Sequence, residues 1–134
     1  MAANTSPIFP LTPVIGIANI STAVSARTAS GITGLTIVGS TPGTNGQRVD
    51  QLSIIATGTT TAGMIRIWFY WAGYTTNAQL LYEIPVSAIT PSATVVAWSY
   101  SFSPINLTLP SPAALYASTE KAEAFVVYKF AGDY

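Results

Sequence analysis

"MIRIWFYW", residues 64–71, decides the fold class. Ile65, Ile67, Phe69 and Trp71 share one side of a period-two pattern, and Met64, Arg66, Trp68 and Tyr70 share the other. Alternation among β-branched and aromatic residues marks a strand, and helical periodicity is hard to find anywhere in the chain. Two further stretches repeat the pattern. "QLLYEIPV" (79–86) groups Leu80, Tyr82, Ile84 and Val86 against Leu81, Glu83 and Pro85. "TVVAWSYSF" (94–102) groups Thr94, Val96, Trp98, Tyr100 and Phe102 against Val95, Ala97, Ser99 and Ser101. Large side chains on one face and small polar ones on the other suit a strand of a two-layer sandwich.

Further strands are expected at Val14–Ser25, Ile32–Val38, Arg48–Thr57, Ala114–Ser118 and Glu123–Phe130. Between them lie turn-rich runs such as "STPGTNG", "TGTTTAG", "AGYTTNA" and "SPINLTLPSP". About eight short strands with such punctuation predict an all-β, antiparallel β-sandwich or jelly-roll-like domain over residues 14–134. Residues 1–13 read as an extended, proline-rich N-terminal arm: Pro7, Pro10 and Pro13 impose extended backbone and remove ladder donors. Ile8, Phe9 and Leu11 make the arm apolar. Two readings fit: an arm lying against a neighbouring subunit, or an edge segment folded on its own domain.

Charge excludes several functions. Only 7% of the 134 residues are charged, against about 25% in ordinary domains, while 49% are hydrophobic. Five basic and five acidic residues cancel, leaving little electrostatic protection against self-association. Subunit contacts are the favoured cover for the surplus apolar surface, the alternative being a monomer coated with its plentiful Ser and Thr. The cations are scattered, so no nucleic-acid partner is expected. Prolines interrupt the uncharged run from Ile84 to Thr119, so no membrane span is expected.

The chain holds no cysteine and no histidine, the latter being the commonest general base and metal ligand. Asp50, Glu83, Glu120, Glu123 and Asp133 show no spacing that argues for a catalytic pair, and Glu83 reads as solvated or arginine-paired. "GTNGQR" lacks the ending of a phosphate-binding loop and reads as a hairpin loop with positive φ at Asn45-Gly46. "ATGTTTAGMIR" (56–66) carries no acid or lysine in its loop, so it reads as a threonine-rich turn rather than a ligand site. No enzyme, cofactor or metal is expected. The aromatics remain: Trp68, Tyr70 and Tyr74 are candidates for core, for a subunit interface, or for a sugar-stacking platform.

"GTNGQRVDQLSIIATGTTTAGMIRIWFY", "LLYEIPVSAITPSATVVAWSY" and "LYASTEKAEAFVVYKFAGDY" together resemble small tailed-bacteriophage virion proteins of the head-decoration, or cement, type. The chain departs from that pattern in its bulky "WFYWAGY" segment and its proline-rich arm. The resemblance implies a β-sandwich made in the host cytoplasm that binds the outer surface of the capsid. It also implies contacts with the major capsid protein and with further copies of itself, a homotrimer being favoured. Ile8, Phe9, Leu11, Trp68, Tyr70 and Tyr74 are the expected subunit or capsid contacts, and deleting residues 1–13 should leave a folded domain that no longer assembles. The alternative is a fibre or tail-tip module that binds host glycans through exposed aromatics.

Overall fold

A computed structural model describes residues 10–103 and 105–134. The described residues are all-β, with nine strands: β1 (Thr12–Ile20), β2 (Thr36–Ile37), β3 (Gln47–Ala56), β4 (Gly63–Tyr70), β5 (Gln79–Val86), β6 (Ser99–Phe102), β7 (Leu107–Leu109), β8 (Ala114–Thr119) and β9 (Phe125–Asp133). They form two antiparallel sheets. Sheet A runs β1-β9-β3-β6 with β7 also on β3, and sheet B runs β2-β8-β4-β5.

The pairings reveal how the chain is wound. β1 pairs with β9, β2 with β8, β3 with both β6 and β7, and β4 with β5. The first half of the chain therefore pairs with the second half in mirrored order, as one long hairpin coiled on itself. β6 and β7 follow one another along the same side of β3 and act as one broken strand. Counted so, the connectivity is that of an eight-stranded jelly roll.

The two sheets enclose a core drawn from alternate positions. Leu52, Ile54, Ala56 and Val127 of sheet A meet Ile65, Ile67, Ile84, Leu115 and Ala117 of sheet B, all buried. Two irregularities keep the alternation in phase. The register on β9 shifts between Val49 and Gln51, so Asp50 is an extra residue and both Val49 and Leu52 stay inward. The register on β5 shifts after Ile67, leaving Leu81 as the extra residue. Leu80 therefore pairs with Trp68 on the outer side, not with Tyr82 and Ile84 on the core side as its spacing predicts.

Several strand expectations contract for local reasons. β1 stops at Ile20, and residues 21–35 leave the sheet through turns with positive φ at Gly31 and Gly34. The stretch Thr94–Ala97 is not strand. There the Ser92 hydroxyl accepts from the amides of Thr94 and Val95, and a turn forms instead. At the N-terminal side, Thr12 and Pro13 of the expected arm already pair with β9. The "GTNGQR" stretch does not close a hairpin: it has positive φ at Gly46 rather than at Asn45, and it links β2 of sheet B to β3 of sheet A.

The β1–β2 side of the sandwich is closed by a backbone crossing. A Cβ at Gly39 would sit 2.5 Å from Gly16 Cα, and one at Gly16 would sit 2.9 Å from the Val38 carbonyl oxygen. Only glycine fits that approach. On the opposite side, between edge strands β5 and β6, a groove of about 270 Å³ stays open, lined by Tyr82, Glu83, Ile84, Tyr100 and Phe102. The sandwich is sealed at one edge and notched at the other.

Candidate functional site

The two sheets treat their outer faces differently. Residues 21–35 fold across the outer face of sheet B. The Val24 amide donates to the Thr119 carbonyl (2.8 Å), the Ala78 amide to the Gly31 carbonyl (2.8 Å), and the Gly31 amide to Asn77 Oδ1 (2.8 Å). Under this cover Arg66 is buried, its Nε donating to Glu83 Oε1 (2.9 Å) and its Nη1 to the Val24 carbonyl (3.2 Å). Arg27 Nε donates to the same Glu83 oxygen at 2.7 Å. These two arginines, through hydrogen bonds first, hold the Glu83 carboxyl below its ordinary value. Glu83 is thus the arginine-paired residue the sequence offered as one reading, and it pins the covering segment.

The cover settles the position of Trp68. Only 1% of it is exposed, and its Nε1 donates to the Ser118 hydroxyl at 2.9 Å. Trp68 is a packing residue beneath residues 21–35, and the interface and sugar-platform readings do not hold for it. Tyr70, half-buried beside it, meets Tyr116 edge to face with ring centroids 6.2 Å apart. Tyr74 is 77% exposed in the β4–β5 loop and lies against Trp71, centroids 4.1 Å apart. Leu11 is exposed at the start of β1, its amide donating to the Asp133 carbonyl at 2.7 Å. Ile8 and Phe9 lie outside the described residues. The expected interface residues are therefore not one surface: Leu11 sits at the rim of sheet A, while Tyr70 and Tyr74 belong to sheet B and its loop.

Sheet A carries what the sequence missed. Register places three rows on its outer face: Ile15–Phe130–Gln51, Ile17–Tyr128–Ser53–Ser101, and Asn19–Val126–Ile55–Ser99. None of these residues is charged. Ile15 and Ile17 are 64% and 51% exposed, and Ile55 is exposed as well. Tyr128 and Phe130 stand side by side with rings nearly parallel, 6.2 Å apart and 16° between planes. The nearest charges on this sheet's outer side are Arg48 and Asp50 at one end, paired with each other at 2.8 Å. Among the described residues no segment covers the three rows as residues 21–35 cover sheet B.

The alternation of "PVIGIANI" (13–20) did contain the signal, but both of its sides are apolar. The large side chains Ile15 and Ile17 lie on the outer face, and the small Gly16 and Ala18 face inward. The inward positions must be small where Gly16 meets Gly39 and where the Lys129 side chain passes, with Cε 3.0 Å from a Cβ built at Gly16. Lys129 itself is buried between the sheets, and its Nζ donates to the Ser40 carbonyl at 3.1 Å. Burial pushes its amine down to about 8, with Asp133 pulling weakly the other way.

Chemically the arrangement offers contact area rather than converging reactive groups. No group of three or more His, Cys, Asp or Glu side chains that could hold a metal ion occurs among the described residues. No helix there is long and apolar enough to cross a membrane. No protein-family model matches the chain, and a search of curated proteins returns no match.

Proposed function

We propose that this chain is a non-enzymatic structural subunit of a virus particle, a decoration or cement protein on the outer surface of a bacteriophage capsid. It oligomerises, with a trimer favoured, and stabilises the shell by tying neighbouring capsomers of the major capsid protein together. The observation that carries the reading is the uncharged outer face of sheet A, exposed on a chain that covers the other sheet with its own residues. Contiguous apolar surface of this kind marks a protein contact. Burial of such surface contributes about 25 cal/mol per Å², less the costs of association, so hundreds of copies can hold a shell without a covalent bond. The jelly roll is a recurrent capsid architecture, which agrees with the reading without establishing it. The resemblance to virion proteins supplies the particle and its outer surface.

The test uses the purified chain and phage heads lacking it. Light scattering after size exclusion should show an oligomer, and the protein should co-sediment with heads. Ile15→Ser with Tyr128→Ser should reduce both while leaving the thermal midpoint nearly unchanged, because neither side chain contributes to the core. A wild-type chain that stays monomeric at high concentration and fails to sediment with heads refutes the reading. Thr12 and Pro13 belong to β1, so the arm deletion is best confined to residues 1–9; it should leave a folded domain with weakened assembly.

The second reading, a fibre or tail-tip module for host glycans, draws on the exposed Tyr74 against Trp71. Binding on a glycan array that is lost in Tyr74→Ala would favour it over the capsid reading.

A further inference from the structure

The open edge between β5 and β6 leaves part of the core uncovered. Tyr100 pairs with buried Ile54 and Phe102 with buried Leu52, so both rings project from the inner side of sheet A. Tyr100 is nonetheless 45% exposed, because it borders the groove between the two edges. Across that groove Phe102 meets Tyr82 of β5 edge to face, ring centroids 5.1 Å apart, and Tyr100 lies 5.7 Å from Phe102. Ile84 completes the apolar wall. The one charged residue in the lining, Glu83, is already bonded to Arg27 and Arg66. A groove of about 270 Å³ with aromatic walls and no unpaired charge fits an uncharged, apolar side chain.

The same chain presents such a side chain. Val96 is 83% exposed, the most of any large apolar residue among those described. It follows the turn at Ser92, whose hydroxyl accepts from the amides of Thr94 and Val95 and whose own amide donates to the Val95 carbonyl at 2.9 Å. Two residues further on, Trp98 is buried edge to face with Phe125, and its carbonyl accepts from the Ala56 amide at 2.8 Å. Val96 is thus anchored on both sides and held out from the surface. Ile15 and Ile17 lie in a sheet face and cannot enter a groove, and Tyr74 is already packed against Trp71. Residues 91–97 carry no charge, so seating this turn in the groove strips water from no ion.

We infer that Val96 of one copy of the chain enters the β5–β6 groove of a second copy, against Tyr82, Tyr100 and Phe102. The inference rests on the self-association in the proposed function and names its contact. Knob and groove are different patches of one chain, so the contact repeats from copy to copy as a ring, the favoured trimer among them, or as a reciprocal pair. Ser99 and Ser101 alternate with Tyr100 and Phe102 along β6 and end two of the uncharged rows of sheet A. The contact between copies is therefore continuous with that face.

Two measurements on the full chain test it. Val96→Asp places a charge where the groove has only apolar walls, and it should weaken self-association about tenfold or more in sedimentation velocity over a concentration series. Its thermal midpoint should match wild type, because Val96 contributes nothing to the core. The absence of native cysteine allows the second measurement. Val96→Cys is mixed with a size-tagged Tyr100→Cys chain, and, as control, with a size-tagged Thr28→Cys chain, Thr28 lying in the segment over sheet B. Mild oxidation and non-reducing electrophoresis should show the mixed Val96–Tyr100 disulfide at least about tenfold above the control. An oligomer that Val96→Asp leaves intact overturns the inference alone, as does a mixed disulfide no more abundant than the control. Loss of head binding in Val96→Asp with the oligomer preserved also overturns it and assigns the turn to the shell. A wild-type chain that stays monomeric at every concentration removes self-association from the proposed function, and this contact with it.

Discussion

Lys129 gives the sharpest energetic test of the interior. Its amine lies buried between the sheets with one carbonyl partner, and burial lowers its pKa from 10.5 to about 8. The folded chain therefore binds this proton more weakly than the unfolded chain does. Between about pH 8 and 10.5 the unfolded chain holds the extra proton, so stability should rise with pH across that window. Below pH 8 the whole penalty is present. The gap between 10.5 and about 8 corresponds to about 3 kcal/mol at pH 7, a size typical of a buried, singly bonded amine. Lys129→Met keeps the length of the side chain and removes the charge, at the loss of about 1 kcal/mol for the bond to the Ser40 carbonyl. The variant should be more stable than wild type by about 2 kcal/mol at pH 7. By pH 9.5 the wild-type penalty falls by about 2 kcal/mol, and the two proteins should converge. Urea unfolding of both from pH 6 to 9.5 reads the difference, in which tyrosines and Lys121 cancel. A variant less stable than wild type at pH 7, or a gap that does not change with pH, refutes the reasoning.

Three further outcomes follow from the packing. Trp68→Phe should cost about 1–2 kcal/mol because the Ser118 hydroxyl is left buried without its donor; a double-mutant cycle with Ser118→Ala should show coupling, and strictly additive losses in urea would contradict it. Gly16→Val should lower stability by about 1–3 kcal/mol or more, since its side chain must displace the Val38–Gly39 backbone, whereas Gly58→Ala, with open space around its Cβ, should be near neutral in thermal melts. Glu83→Gln acts at acid pH: the carboxylate is held below 4.5 by Arg27 and Arg66, so its contribution is present above that value and disappears as pH falls through the lower folded pKa. The variant should show a flatter loss of stability below about pH 5 and faster proteolysis within residues 21–35, and an unchanged acid limb would count against the ion-pair anchor.

The sequence by itself determined the class of fold and the kind of surface. Period-two alternation in residues 64–71 requires strands, turn residues punctuate them, and a chain so poor in charge cannot coat itself with ions. These are local properties, carried by neighbours in the chain, and the folded structure keeps them. What alternation cannot say is which side of a strand will be covered. Trp68 stays open between core and surface until residues 21–35, more than thirty positions away, lie across it and Arg66. Ile15 and Ile17 take the outer face because Gly16 must face Gly39. The extra residues at Asp50 and Leu81 reverse faces in mid-strand, and the clean pattern of Thr94–Ala97 yields to a serine that captures two amides. Apart from that serine turn, which is local, each outcome depends on a pairing between distant segments, so only the tertiary structure decided it. That is why the uncharged face of sheet A became visible only once the strands were wound together.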